Sequence, residues 1–150
     1  MRVSSRLLPI VAAFAFLGCS GEKRPASEPA VPPVAGAPSL TPLTPCATCK
    51  VIEVTMQSTD KGNYFTPSDI KATKGDILRF KLVIGVHNVN FLPDSNPGKT
   101  GLPVAGALLQ LPGQTADVLL SFGEGKFYFQ CDPHAALGMK GHVTVGHSAP

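Results

Sequence analysis

Near the C-terminal end of the 150-residue chain, nine residues, Cys131-Asp-Pro-His134-Ala-Ala-Leu-Gly138-Met139, place a thiol, an imidazole and a thioether in one loop. Thiolate and thioether are soft donors that select copper(I), and imidazole suits copper in both oxidation states. A structural zinc site would normally use four nitrogen or sulfur donors and no thioether. The loop can fold back around one ion. Pro133 has a fixed φ and no N–H, so it stiffens the turn and removes one possible hydrogen bond to the Cys131 sulfur. Gly138 allows a tight backbone bend just before Met139. A further ligand must come from elsewhere in the chain. Of the 4 histidines, His87 is the candidate: it stands in GVHNVNF, with Asn88 beside it. His142 alternates away from Val143 and His147 sits in a polar tail, so both read as surface residues.

The elements that must position these groups read as strands. In KVIEVTM, residues 50–56, Ile52, Val54 and Met56 share parity. In ILRFKLVI, residues 77–84, Leu78, Phe80, Leu82 and Ile84 share one face while Arg79 and Lys81 point the other way. In KFYFQC, Phe127, Phe129 and Cys131 face together, which starts the cysteine sulfur from the inward side. Val143 and Val145 pair in HVTV, and DVLL, residues 117–120, is a further strand candidate. Period-2 alternation marks half-buried strands, and Lys74-Gly75-Asp76 and Gly123-Glu124-Gly125 are turn signals between them. No long helical period occurs. Residues 93–113 are the least regular, and residues 104–111 predict either one helical turn or a strand. Short strands at regular intervals predict an all-β domain, a two-sheet sandwich or a barrel.

Together, the loop and the strands make a family resemblance specific. Cys131-x-Pro133-His134-x-x-x-Gly138-Met139-x-Gly141-x-Val143-x-Val145 resembles the C-terminal copper loop of plastocyanin and pseudoazurin in the cupredoxin family, and Val86-His87-Asn88 resembles that family's first-histidine motif. The resemblance covers residues 50–146. It implies a Greek-key β-sandwich and one type 1 (blue) copper ion, with His87, Cys131 and His134 as strong ligands and Met139 as the axial one. It also implies that Asn88 ties the two ligand loops together and donates its backbone N–H toward the Cys131 sulfur. A His₂Cys set with a weak axial Met is the ligand set of blue-copper electron-transfer centres. The resemblance therefore implies a carrier of single electrons between redox proteins, a cytochrome or another donor and acceptor, and a monomer. The surface near His134, with Ala135, Ala136 and Leu137, is the implied electron port. Gln130 stands where plastocyanins usually carry tyrosine, and no acidic docking cluster is present. A copper enzyme is disfavoured, because four ligands leave no open position for substrate. A copper-binding or copper-delivery lipoprotein is the alternative.

The rest of the chain predicts where such a domain would work. Arg2 and Arg6 precede an apolar run, Leu7 to Leu17, that is too short to span a bilayer, which takes about 20 residues. This is the pattern of an export signal. Leu17-Gly18-Cys19 resembles a bacterial lipobox, with Phe16 where leucine is usual. The expectation is a signal peptide over residues 1–18, a lipidated Cys19, a Pro/Ala-rich tether over residues 19–45 and a copper-binding domain over residues 46–150, anchored to a membrane in the cell envelope or periplasm. Such a tether is too poor in large apolar groups to order itself. Cys46-x-x-Cys49 at the junction predicts a local disulfide in an oxidising compartment, with a copper(I) dithiolate as the other reading. Lys50 follows, so the CxxCH pattern of covalent haem is absent. The net charge of +3 falls close to neutral once Arg2 and Arg6 leave, and no basic run exists, so nothing supports nucleic-acid binding.

Overall fold

The computed structural model describes residues 40–147. The expected signal peptide, Cys19 and most of the tether lie outside the described residues. Seven strands form: β1 (Val51–Thr59), β2 (Gly62–Thr66), β3 (Asp69–Thr73), β4 (Ile77–Ile84), β5 (Thr115–Leu119), β6 (Gly125–Gln130) and β7 (Lys140–Gly146). They make one sheet in the order β2-β1-β4-β5 and a second in the order β3-β7-β6. β1 with β4 and β3 with β7 are parallel, and the remaining pairs are antiparallel. This is the all-β, Greek-key sandwich that the alternation and the family resemblance predict.

The inward positions of both sheets make one core. Val54, Met56, Phe80 and Leu82 from the first sheet meet Phe127, Phe129, Val143 and Val145 from the second. Phe129 is at its centre: the rings of Phe65, Phe80 and Phe91 lie 5.0, 5.4 and 5.5 Å from it. The first two meet it edge-on, the geometry that the aromatic quadrupole favours. Two residues beyond Phe129 the same parity delivers Cys131, which is fully buried.

Three expectations change. Ile84 does not share the inward face of β4: it is 55% exposed. The β1–β4 register jumps between Met56 and Gln57, so that Met56 faces Leu82 but Gln57 faces Ile84. The extra residue, Val83, is a bulge, which breaks strict alternation and turns the strand end. Residues 104–111 form neither a helical turn nor a strand; the bridge between Leu109 and His87 and the hydrogen bonds of Gly106 to Val89 and Asn88 tie them to the domain. The segment after Cys131 is more ordered than an open loop, because Asp132–Leu137 is a 3-10 helix.

Parallel pairing fixes which residues share an end of the sandwich. β1 and β4 start together, with Val51 opposite Ile77, and both run toward Ser58 and His87. β6 ends and β7 begins at that same end, which carries Cys131 and Met139. The opposite end carries the Cys46–Cys49 disulfide, whose Cys49 sulfur lies against Gly75. There the chain is gripped by two buried carboxylates. Asp76 accepts the backbone N–H of Lys50 at 2.8 Å and of Thr73 at 2.9 Å. Burial pushes its carboxyl up, but these donors and the Thr73 hydroxyl outweigh that and hold it below the usual carboxylate range. Asp117 accepts the Leu43 N–H at 2.7 Å and pairs with Arg79 at 2.7 Å. Arg79 thus points outward as its parity predicts, yet it is an ion-pair partner beneath the incoming chain, and it also donates to the Leu43 carbonyl.

Candidate metal centre

Two segments from different sheets meet at the upper end. The first follows β4: Gly85 turns the chain, and His87 is pinned by reciprocal backbone hydrogen bonds to Leu109 at 3.1 and 2.8 Å. The second is the turn between β6 and β7. Cys131 caps the 3-10 helix, Pro133 lies in its first turn, and Gly138 closes it in the left-handed conformation at φ 92°. The turn is closed by its own backbone. The Cys131 N–H donates to the Met139 carbonyl at 3.2 Å, and the Met139 N–H donates to the His134 carbonyl at 3.1 Å. Cys131, His134 and Met139 are therefore held in one small ring of chain. Met139 is fully buried.

The side chains converge. His87 Nδ1 lies 3.1 Å from His134 Nδ1 and 3.6 Å from Cys131 Sγ, and His134 Nδ1 lies 3.4 Å from Cys131 Sγ. These atoms form the one cluster of metal-ligating His, Cys or carboxylate groups found among the described residues. A point equidistant from the three atoms lies about 2.0 Å from each, close to the zinc–nitrogen distance of about 2.0–2.1 Å and a little short of the zinc–sulfur distance of about 2.3 Å. The donor set is two imidazoles and one thiol, so the residues fit a copper ion in their chemistry.

The electrostatics prepare these groups for a cation. Burial, and then the neighbouring His134, hold the His87 imidazole below its ordinary pKa, with the Ile84 carbonyl opposing. His87 thus keeps a free lone pair. Burial pushes the Cys131 thiol up, while backbone N–H groups of Asn88 and His134 directed at its sulfur pull it back. A thiol held this way ionises when a metal binds, so metal uptake releases a proton.

Asn88 joins the two segments. Its Oδ1 accepts the Asp132 N–H at 2.8 Å, and its Nδ2 donates to Asp132 Oδ2 at 2.8 Å. Its own N–H is one of the two aimed at the Cys131 sulfur. Asp132 is not among the residues that the sequence points to, nor are Asn90 and Gln130, which both donate to its carboxylate at 3.0 Å. Burial raises the Asp132 carboxyl, but Asn88, Gln130 and Asn90 together hold it below the usual range. The signal was the NVN spacing: Asn88 and Asn90 share parity and reach the same carboxylate. Away from this centre, His142 lies 3.8 Å from Asp69 and His147 lies 2.7 Å from Glu124, both outside the cluster. Cys46 and Cys49 are bonded to each other at the far end of the sandwich.

A β-sandwich with two histidines and a buried cysteine meeting at one end, beside a methionine, defines a cupredoxin. The chain belongs to the family of copper-binding proteins described as plastocyanin/azurin, whose pattern it matches over residues 52–146. Its cofactor is accordingly copper. It is 39% identical over 99 residues to the chloroplastic plastocyanin of Silene latifolia subsp. alba, in a match that covers 62% of this chain and 59% of that one. The chain thus spans less than two thirds of that relative. It is 37% identical over 100 residues to the plastocyanin of Vicia faba, covering 63% of this chain and 99% of that protein. The oxidised plastocyanin of Dryopteris crassirhizoma superposes with a TM-score of 0.52 at 28% identity, over 63% of this chain and 100% of that one.

Proposed function

We propose that the domain is a single-electron carrier whose one type 1 copper ion is held by His87, Cys131 and His134, with Met139 as the axial ligand. The observation that carries this reading is the triangle of His87 Nδ1, Cys131 Sγ and His134 Nδ1, with edges of 3.1 to 3.6 Å. Copper bound there supplies a Cu(II)/Cu(I) couple that stores and releases one electron. The chain's part is to hold the ligands so that neither oxidation state requires them to move. The Cys131–Met139 ring of backbone bonds and the Asn88–Asp132 tie provide that rigidity. His134 is the one member of the triangle that reaches the surface. Leu137 beside it is 69% exposed, and Val86 and Leu108, next to the His87–Leu109 bridge, are exposed as well. Exposed apolar side chains of this kind suit brief docking of a redox protein, a cytochrome or another donor or acceptor, through a small interface.

The axial assignment has its own test. Met139→Leu keeps the burial and removes the thioether, and axial ligation tunes the potential of such centres. The variant is expected to stay coloured and to show a higher reduction potential by voltammetry, because the weak donor that favours Cu(II) is gone. An unchanged spectrum and potential would remove Met139 from the ligand set.

The carrier works at a membrane in this reading. The export pattern of residues 1–18 and the Cys19 lipobox support a lipid anchor in the cell envelope, with residues 19–45 as the tether to a domain over residues 46–150. Several acyl chains on one cysteine hold a protein stably, whereas a single chain binds only marginally. Cys19→Ala is expected to move the protein from the membrane fraction to the soluble fraction; retention in the membrane fraction would discard the anchor. The copper-delivery reading gains nothing from Cys46 and Cys49, which are oxidised and at the opposite end from His87.

A further inference from the structure

We propose that Ser58, with Asn63 behind it, is a positioning residue that holds His87 with its proton on Nε2 and its lone pair on Nδ1. The inference rests on the reading that His87 Nδ1 is a metal ligand, but its first test needs no metal.

Ser58 is a polar residue where an apolar one is expected. Val54 and Met56 are fully buried inward positions of β1, and Ser58 continues their parity. At the strand end this parity no longer meets the core. It meets the back of the His87 ring, with Ser58 Oγ 3.2 Å from His87 Nε2. The β1–β2 hairpin places Asn63 directly opposite Ser58. Ser58 donates its hydroxyl hydrogen to Asn63 Oδ1 at 2.6 Å. Its only proton is spent there, so it faces His87 as an acceptor. The second neighbour of Nε2 is the Ile84 carbonyl at 3.2 Å, which can only accept. Two acceptors on one ring nitrogen require a proton on it. The neutral imidazole then carries its lone pair on Nδ1, the atom that points at Cys131 Sγ and His134 Nδ1. The partner of the outer nitrogen decides which nitrogen can bind metal.

Gly85 makes the room for this arrangement. Its φ is +103°, and a Cβ there would lie 2.4 Å from Ser58 Oγ and 2.7 Å from His87 Nε2. A side chain at position 85 would therefore push the hydroxyl and the ring apart. The hairpin tip, the turn after β4 and the ligand are thus one unit, with Ser58 at its centre.

The test uses the full chain in three forms: wild type, Ser58→Ala and Ser58→Thr. In the metal-free wild type, long-range ¹⁵N–¹H correlation of the His87 ring is expected to show the Nε2–H tautomer. Copper(I) affinity is then measured by competition with a chromophoric chelator. Partners behind a ligand are worth about 10–100-fold in metal affinity, so Ser58→Ala is expected to bind about tenfold more weakly, and Ser58→Thr, which restores the hydroxyl, to stay within about twofold of wild type. A proton on Nδ1 in the metal-free protein would overturn the proposal, as would wild-type affinity in Ser58→Ala. Failure of the ligand reading is separable: His87→Ala would then bind copper(I) as tightly as wild type, whatever the tautomer.

Discussion

Cys131→Ser is expected to abolish the visible absorption of the copper-loaded protein, the largest spectroscopic change any single substitution here should produce. The intense colour of a Cu(II) centre of this kind comes from charge transfer out of a thiolate, and Cys131 is the one free cysteine among the described residues. Serine is close in size, so the buried position stays filled. Its hydroxyl does not ionise in a site where burial already pushes a thiol upward. The N–H groups of Asn88 and His134 would meet a neutral oxygen in place of a sulfur anion. Copper(I) affinity should therefore fall by more than the roughly 10–100-fold that an outer partner contributes. Absorption spectra of the two proteins at equal copper loading check this. A Cys131→Ser variant that kept the band would place the thiolate donor elsewhere.

Asp117→Ala should produce a large loss of stability, at a place far from the metal. The Asp117 side chain is completely inaccessible and accepts from Arg79 Nε at 2.9 Å, from Arg79 Nη2 at 2.7 Å and from the Leu43 N–H at 2.7 Å. Removing one partner of a buried ion pair costs about 3–5 kcal/mol, because the other charge is left uncompensated. Arg79 keeps a quarter of its side chain in contact with solvent and can turn outward, which points to about 3 kcal/mol, the lower end of that range. With urea slopes of about 1–3 kcal/mol/M for small domains, the midpoint should fall by about 1–3 M. The copper spectrum should not change, since Asp117 touches neither ligand segment. A midpoint equal to that of the wild type would show that the clamp on Leu43 contributes nothing to folding.

The convergence of His87, Cys131 and His134 was legible in the sequence chiefly because most of its information is local. Cys131, His134 and Met139 lie on one turn, and the parity of Phe127 and Phe129 tells which way the cysteine faces. The sandwich was legible where strands alternate cleanly, as in residues 50–56 and 77–82. It was not legible where pairing depends on partners distant in sequence. β2 and β3 are five-residue strands with one or two inward apolar side chains each, Phe65 in β2 and Ile70 and Ala72 in β3, too few to stand out. The bulge at Val83 is set by the pairing of Ile84 with Gln57 and by the turn at Gly85, so alternation alone carried Ile84 to the wrong face. Asp132 reads as an ordinary turn residue until the structure brings Asn88, Asn90 and Gln130 to its carboxylate. Ser58 is the instructive case: a polar residue at inward parity is a visible anomaly, but its meaning appears only when His87 is seen behind it.

One titration tests the copper centre most directly. Cu(II) is added in steps to the metal-free protein while the visible spectrum is followed, and the loaded protein is then reduced and reoxidised. The prediction is an intense thiolate-to-copper band that saturates at one copper per chain, bleaches on addition of one electron and returns on reoxidation. A Cu(II) complex that stays colourless, or a band that does not return, would contradict a carrier built on His87, Cys131 and His134.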